Sequence, residues 1–536
     1  MSLISTRANS PDTIIICNKA ICSISSGAQI QTGGYPTTLI IVTPTPIMNI
    51  LLLNPPFLPK FSRAQRSPAV TKSGTLYYPI WLAYAAGVLD QAGFDVQLID
   101  APAANLSLEH IGNELRSHTQ DIIVLDTSTP SIQNDLRVAK HIKSVSPDTL
   151  IILVGPHVSA LPDETLALEP AVDAIIRGEY EKTLLELAKS FAKNDQNDRN
   201  DLMQSICGLS YRSPQGIVHN PGREYIQDLD SLPWVSRMYK RFLNPGDYFN
   251  PNAFHPMVTL ISSRGCAFRC SFCLYPQTMT GRRFRFRSIP DVVDEMEYAL
   301  DAFPHVRSVF FEDDTLTANK ERCQYLAQEI MDRKLKINWT ANSRVELDYQ
   351  TMRMLRASGC RMLCVGFESG DEQVLAAMRK RVTKEKMFTF VRDARKAGIL
   401  IHGCFIFGFP GEDKAAVQRT IDLSLQLSLD TAQFYPVMVY PGTEAYEEYK
   451  AKGLLSAASY SDWLTPAGLH NCVVHNEYFS SKELVRICDE ARKRFYLRPR
   501  YVGYRIKKCM FRPDETLRTL KAGRTFLKYL LKGSQV

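Results

Sequence analysis

The sequence predicts an α/β chain: an N-terminal doubly wound, Rossmann-like parallel sheet, then a partial (β/α) barrel of the TIM type, then a helical basic C-terminal tail. Three observations carry this. The chain has 536 residues, too many for one core. Short apolar runs alternate with amphipathic stretches from Met48 to Lys193. The same alternation returns from Pro256 to Tyr446. Short buried strands alternating with helices are the pattern of parallel sheets.

Residues 48–193 form the first unit. Ile50–Leu53 is a strand ending in Asn54-Pro55-Pro56, and a helix over Ile80–Ala92 closes at Gly93. Strands follow at Val96–Ile99, Ile122–Leu125, Leu150–Val154 and Ala174–Ile176, with a helix at Asp135–Val145. Ligands of such sheets bind outside the carboxyl ends of the strands. Those ends carry Asp126-Thr127-Ser128-Thr129-Pro130, Gly155-Pro156-His157-Val158-Ser159 and Arg177-Gly178-Glu179-Tyr180-Glu181. Residues 194–255 are a connector: Lys193–Asp201 is polar and low in complexity, and short strand-like pieces and turns follow it. Residues 1–47 are rich in Ser, Thr, Ile and Pro without a period. They are expected to be a disordered extension or an over-long start before Met48. With no basic start feeding a compact apolar run, they are not expected to be a signal peptide.

Residues 256–446 form the second unit. Met257–Ile261 leads into a loop holding Cys266, Cys270 and Cys273 at CxxxCxxC spacing. Further strands are expected at Val306–Phe311, Ile337–Ala341, Met362–Phe367, Ile401–Phe407 and Thr431–Val439. The loops at their carboxyl ends form the site of such a barrel. Thiolates hold iron–sulfur clusters, and a four-iron cluster normally takes four. Three leave one iron open to a substrate or cofactor. A closed zinc site needs two Cys or Cys/His pairs, and the next cysteines, Cys323, Cys360 and Cys364, are not at pair spacing. Asp313 and Asp314 either line the cleft or satisfy nearby backbone amides.

Phe272, just before the third cysteine, makes this loop resemble the radical SAM signature. The resemblance implies a [4Fe–4S] cluster on Cys266, Cys270 and Cys273, with S-adenosylmethionine (SAM) chelating the open iron and Phe272 against its adenine. Gly366-Phe-Glu-Ser-Gly370 resembles the family's GxESG element, which implies Glu368 and Ser369 near the methionyl amino group or ribose. Gly403–Glu412, with Gly408, resembles the glycine-rich strand that contacts adenine. The strand ends of the first unit resemble the cobalamin-binding domain found at the front of many radical SAM proteins. That implies Thr127, Ser128, Thr129, Gly155, Pro156, His157, Ser159, Gly178 and Glu179 around cobalamin. Pro156 stands where a second glycine is common, and Tyr180 where glycine is common. There is no DxHxxG motif, so no histidine below cobalt is implied; class B radical SAM methyltransferases usually lack it too. The resemblance covers residues 48–446 and implies radical methylation of an unactivated carbon. Tyr77–Leu82 and Leu98–Pro102 also resemble radical SAM proteins of hopanoid and other lipid pathways, some of which rearrange or join carbon skeletons.

Thirteen cysteines, an odd number spread along the chain, fit a reducing, cytoplasmic setting. The net charge is +8, but residues 492–536 hold fourteen Lys/Arg against Asp514 and Glu515, a local +12 that leaves −4 on the rest. The tail aromatics and leucines (Phe495, Tyr496, Tyr501, Tyr504, Phe526, Tyr529, Leu530, Leu531) suit either a solvated helical cap or a peripheral helix on an anionic membrane at its inner face. No run of 18 uninterrupted apolar residues occurs. Nothing resembles a helix-turn-helix, so nucleic acid is not an expected partner. The expected partners are a small-molecule or lipid substrate and an electron donor such as flavodoxin or ferredoxin.

Overall fold

A computed structural model describes residues 4–7, 13–17, 28–32, 35–40, 48–193, 199–511, 516 and 533–534. Linker residues 194–198 and most of the tail beyond Phe511, with Phe526, Tyr529, Leu530 and Leu531, lie outside the described residues. Before Met48, strands Ile4–Arg7, Thr13–Cys17, Ala28–Thr32 and Tyr35–Ile40 pair with one another in a separate sheet.

The first unit is a seven-stranded sheet: β1 Asn49–Asn54, β2 Asp95–Asp100, β3 Ile122–Asp126, β4 Leu150–Val154, β5 Ala174–Ile176, β6 Leu209–Ser213 and β7 Gly216–His219. Their order is β7-β6-β5-β4-β3-β1-β2. The first five are parallel. β3 and β4 are buried at every residue, as strands covered on both faces must be. β1 lies between β2 and β3, so the chain reverses direction across the sheet there, and a crevice opens at the strand ends. β6 and β7 form a hairpin antiparallel to β5. Part of the expected connector therefore extends the first sheet: its two short strands join β5 through pairing, which the sequence pattern does not specify.

The second unit is six parallel strands in chain order: β8 Met257–Leu260, β9 Ser308–Phe311, β10 Asn338–Ser343, β11 Cys360–Glu368, β12 Leu400–Phe407 and β13 Thr431–Pro436. β8 and β13 do not pair, which leaves a partial barrel. Five crossover helices begin at side-chain caps: Ser288, Asn319, Asp348, Thr383 and Asp413 each accept a backbone N–H. Along β11–β13 one face is fully buried against these helices, with Phe367, Phe405 and Phe434 stacked at 5.8 and 5.3 Å. The other face, Cys364, Gly366, Cys404, Gln433 and Tyr435, is only half-buried, because it looks into the open lumen.

The C-terminal region covers the free side of β13. In the helix Ser481–Tyr496, Tyr496 Oη donates to Ala432 O (2.6 Å) and Phe495 lies 6.0 Å from Phe434. One buried apolar cluster runs from Ile50 through both units to Phe495 and Tyr501.

Buried charges join the units. Arg264 reaches Glu181 at 2.6 Å and Glu179 at 3.5 Å, and Arg285 forks onto Glu179 at 2.7 and 2.8 Å. Ile226 N donates to the same Glu179 carboxylate (2.9 Å). Arg264 also lies over the rings of Trp81 (4.9 Å) and Tyr84 (4.5 Å). Removing one partner of a buried pair strands the others, at about 3–5 kcal/mol. Glu179→Ala is therefore expected to lose that much in urea unfolding, even though Glu181 still faces Arg264. A loss under about 1 kcal/mol would show that the network does not hold the units together.

Candidate active site between the two units

The cysteine loop is clamped at its root. Ser262 N (3.1 Å), Ser262 Oγ (2.7 Å) and Ser263 Oγ (2.5 Å) all donate to Asp313, which is fully buried. Asp313 is thus a brace for backbone and hydroxyls rather than a cleft acid. Gly265 has φ +82, and a Cβ there would sit 2.1 Å from Arg283 O, so only glycine turns the chain into Cys266. Cys266 N donates to Gly281 O (3.1 Å).

Cys266 and Cys270 are buried and Cys273 is half-buried. Burial pushes the Cys266 and Cys273 thiols up, with Asp314 adding to both. Such thiols become thiolates when a metal takes the proton's place. Among the described residues no three His, Cys, Asp or Glu side chains meet as a single ion would need. Three thiols on one loop are the donor set of a cluster, which binds each cysteine through a different iron. Arg344 Nη1 lies 3.8 Å from Cys270 Sγ.

Beside the loop, β11 ends in strained backbone. Glu368 has φ +66, at an irregularity in the β11–β12 register. Its carboxylate pairs with Lys380 at 2.8 Å, both side chains 7% exposed. A Cβ on Gly366 would meet Glu368 Oε1 at 2.0 Å. Ser369 Oγ is 3.0 Å from Thr420 Oγ1 and accepts from Asp371 N, so this hydroxyl holds the turn. Gly408 has φ +107 and its N–H donates to Glu412. Phe272 stands edge-on to Phe409 at 5.9 Å, which brings the expected adenine-side residues together. Ser271 Oγ, buried between Cys270 and Phe272, has no hydrogen-bond partner among the described residues. That hydroxyl, beside Cys270 and Phe272, fits SAM on a cluster.

Across the junction lie the strand ends of the first sheet. Gly155 has φ +116, and a Cβ there would sit 2.5 Å from Thr127 O. Gly178 has φ +71 with nothing within 4 Å of the Cβ position. Pro156 opens the short helix Pro156–Ala160. Thr127 Oγ1 donates to Val154 O (2.7 Å), Ser128 Oγ meets Ser131 Oγ (2.8 Å), and Ser159 Oγ donates to Gly155 O (2.8 Å) while accepting from Gly178 N (2.9 Å). These hydroxyls shape the loops. Burial pushes the His157 pKa down to about 3, so its ring is neutral; Nδ1 is 3.2 Å from Thr129 Oγ1. Glu179, expected at the cofactor, is instead held by Arg285 and Arg264. The Tyr180 hydroxyl is buried and has no hydrogen-bond partner among the described residues. A cavity of about 520 Å³ lies between Phe57 and Pro130 on one side and Leu464, Asn471 and Val473 of the C-terminal region on the other. The open space at Gly178 and the buried Tyr180 hydroxyl fit a cofactor at this face.

Several residues carry no sequence signal. Arg63, fully buried under the strand ends, donates to Asn54, Pro55 O and Asp135. Arg66 crosses from the loop after β1 to the end of β9. It pairs with Glu312, donates to Asp313 O (2.9 Å), and reaches Asp314 at 3.5 Å. Burial raises the Glu312 carboxyl to about 7 against the pull of Arg66. These contacts join residues about 246 positions apart, which no local pattern encodes.

Fold and site together define an enzyme that sets a radical SAM barrel against a cobalamin-binding sheet. The comparisons agree. The B12 binding domain family matches residues 66–188 and the Radical SAM superfamily residues 260–424. An uncharacterized methyltransferase of Pyrococcus horikoshii is 30% identical over 455 residues, 85% of this chain and 94% of that protein. An anaerobic magnesium-protoporphyrin IX monomethyl ester cyclase of Cereibacter sphaeroides is 26% identical, over 84% of this chain and 72% of that protein. The radical SAM methyltransferase TsrM of Kitasatospora setae, solved with cobalamin and a [4Fe–4S] cluster, has the same fold: TM-score 0.65, 18% identity, 83% of this chain and 91% of that one. The chain belongs to the cobalamin-binding radical SAM enzymes. Its cofactors are a [4Fe–4S] cluster, SAM and cobalamin.

Cys270→Ala is expected to abolish the cluster's broad visible absorbance and all SAM cleavage after anaerobic reconstitution. An intact cluster in that variant would defeat the ligand assignment. A pH effect comes from Glu412, which burial raises from 4.5 to about 7. A raised carboxyl contributes stability below its unfolded pKa and loses it as pH rises through the folded value. Wild type should lose on the order of 3 kcal/mol between pH 4.5 and 7 through this group, and Glu412→Gln should flatten that part of the stability–pH curve. Parallel curves would contradict the assignment.

Proposed function

We propose that this enzyme methylates an unactivated carbon of a small molecule held in the barrel lumen. The observation that carries it is the facing of the cysteine loop and the cobalamin-sheet ends within one buried junction, bridged by Arg66. Bound there, the cluster and SAM supply a 5′-deoxyadenosyl radical and cobalamin supplies a methyl group. The chain orients and excludes water. Phe272, Phe409 and Gly408 shape the adenine side, Glu368 and Lys380 the methionyl side. Cys364, Cys404, Gln433 and Tyr435 face the lumen, where Tyr435 Oη donates to Cys404 Sγ (3.3 Å). Cys266, Cys270 and Cys273 hold the cluster; Thr127, Ser128, Thr129, Gly155, Pro156, His157, Ser159 and Gly178 line the cobalamin face. The methyltransferase relatives support this reading.

A one-electron donor of the flavodoxin or ferredoxin class supplies the reducing power, in the reducing setting of the cytoplasm. The +12 of residues 492–536 supports a peripheral contact with an anionic membrane surface, and with it a lipid substrate. A second reading, carbon–carbon bond formation or rearrangement, is favoured by the cyclase relative.

Anaerobically reconstituted enzyme with cobalamin, SAM and reductant should release 5′-deoxyadenosine, and with substrate S-adenosylhomocysteine as well. 5′-Deoxyadenosine and product without S-adenosylhomocysteine would replace methylation by the second reading; no 5′-deoxyadenosine would sink both.

A further inference from the structure

Two buried cations, Arg344 and Lys380, and the part-buried Arg66 surround the cysteine loop, and their counter-charges differ. Arg66 is offset by Glu312 and Asp314, and Lys380 by Glu368. Arg344 has one carboxylate neighbour among the described residues, Glu346 at 3.2 Å from Nε, and that side chain is 36% exposed. Water therefore screens Glu346, while the guanidinium itself is buried.

Arg344 is also locked in place. Its guanidinium carbon lies 3.8 Å from the ring centroid of Phe268, inside the cysteine loop. Nη2 donates to Lys380 O (2.7 Å), and Nη1 points at Cys270 Sγ from 3.8 Å. Its backbone N–H donates to Thr317 Oγ1 (3.2 Å), and its carbonyl accepts from Ser343 Oγ (2.8 Å). No freedom of this side chain is needed to bring the donor to the sulfur.

Reduction adds one negative charge to the cluster. A charge-assisted donor on a ligating sulfur, in a low-dielectric site, favours the more negative state. We propose that Arg344 is a positioning residue for Cys270: it donates an N–H to the ligating sulfur and raises the cluster's reduction potential into the reach of a flavodoxin- or ferredoxin-class donor. In that step one electron leaves the donor protein and enters the cluster; no bond is made or broken in the chain. The proposal rests on Cys270 as a cluster ligand, which Cys270→Ala tests separately.

The test poises wild type and R344Q, both reconstituted and matched for iron and sulfide, over a series of potentials without SAM. The reduced fraction is read by EPR. At a fixed potential the reduced-to-oxidised ratio of R344Q should fall about tenfold, a shift of 59 mV for a one-electron couple. R344K, which keeps the charge but loses the planar fork, should fall less. A fall of under threefold in R344Q overturns the proposal. If R344Q takes up less than a full cluster, R344M, which also removes the charge and the donor, decides by the same threefold limit. Leaving out SAM keeps any role of Arg344 in SAM binding from entering the readout.

Discussion

Glu179 and Glu181 of the first unit, and Arg264 and Arg285 of the second, are buried together where the units meet. Each side chain is at most 5% exposed. Charges taken out of water are tolerated only in a geometry that pairs them all. The two sheets therefore dock in one register. Arg264 immediately precedes Gly265 and Cys266, and Glu179 follows Gly178 at the end of β5. The network thus fixes the cysteine loop against the strand ends of the cobalamin sheet, which is the geometry the chemistry requires.

The same junction is dry enough to push carboxyls up. Burial raises Asp126 and Glu312 each to about 7. In such surroundings a single cation acts strongly on its neighbours. That explains why the arginines here are each individually held: Arg63 by Asp135 and Ser131, Arg66 by Glu312 and the Asp313 carbonyl, Arg287 by Asp291 and Glu295. An unheld guanidinium would be both costly and electrostatically disruptive.

Much of this was legible in the sequence because it is local. Leu150–Val154 and Ala174–Ile176 match their strands residue for residue, since buried parallel strands are continuous apolar runs bounded by turn residues. The cysteine loop, Gly155 and Gly408 declare themselves by spacing and by backbone that only glycine adopts easily. What stayed hidden is long-range. The hairpin Leu209–His219 joins β5 by pairing rather than by pattern. Glu179 looks like a loop acid in sequence and becomes an ion-pair hub only when Arg264 and Arg285 arrive. Ser369 matches a motif, yet its hydroxyl caps a turn.

The cobalamin face is walled by residues far down the chain. Val70 N donates to Gly468 O (2.8 Å), Ser67 Oγ lies 2.9 Å from His470 Nε2, and Tyr460 stands edge-on to His157 at 4.8 Å. The sheet that receives the cofactor is synthesised first, but this wall emerges from the ribosome some 400 residues after Ser67. Until then the strand ends are open to water. The wall of the cofactor face is thus contributed from about 400 residues away, and the face is complete only once the C-terminal region packs against it.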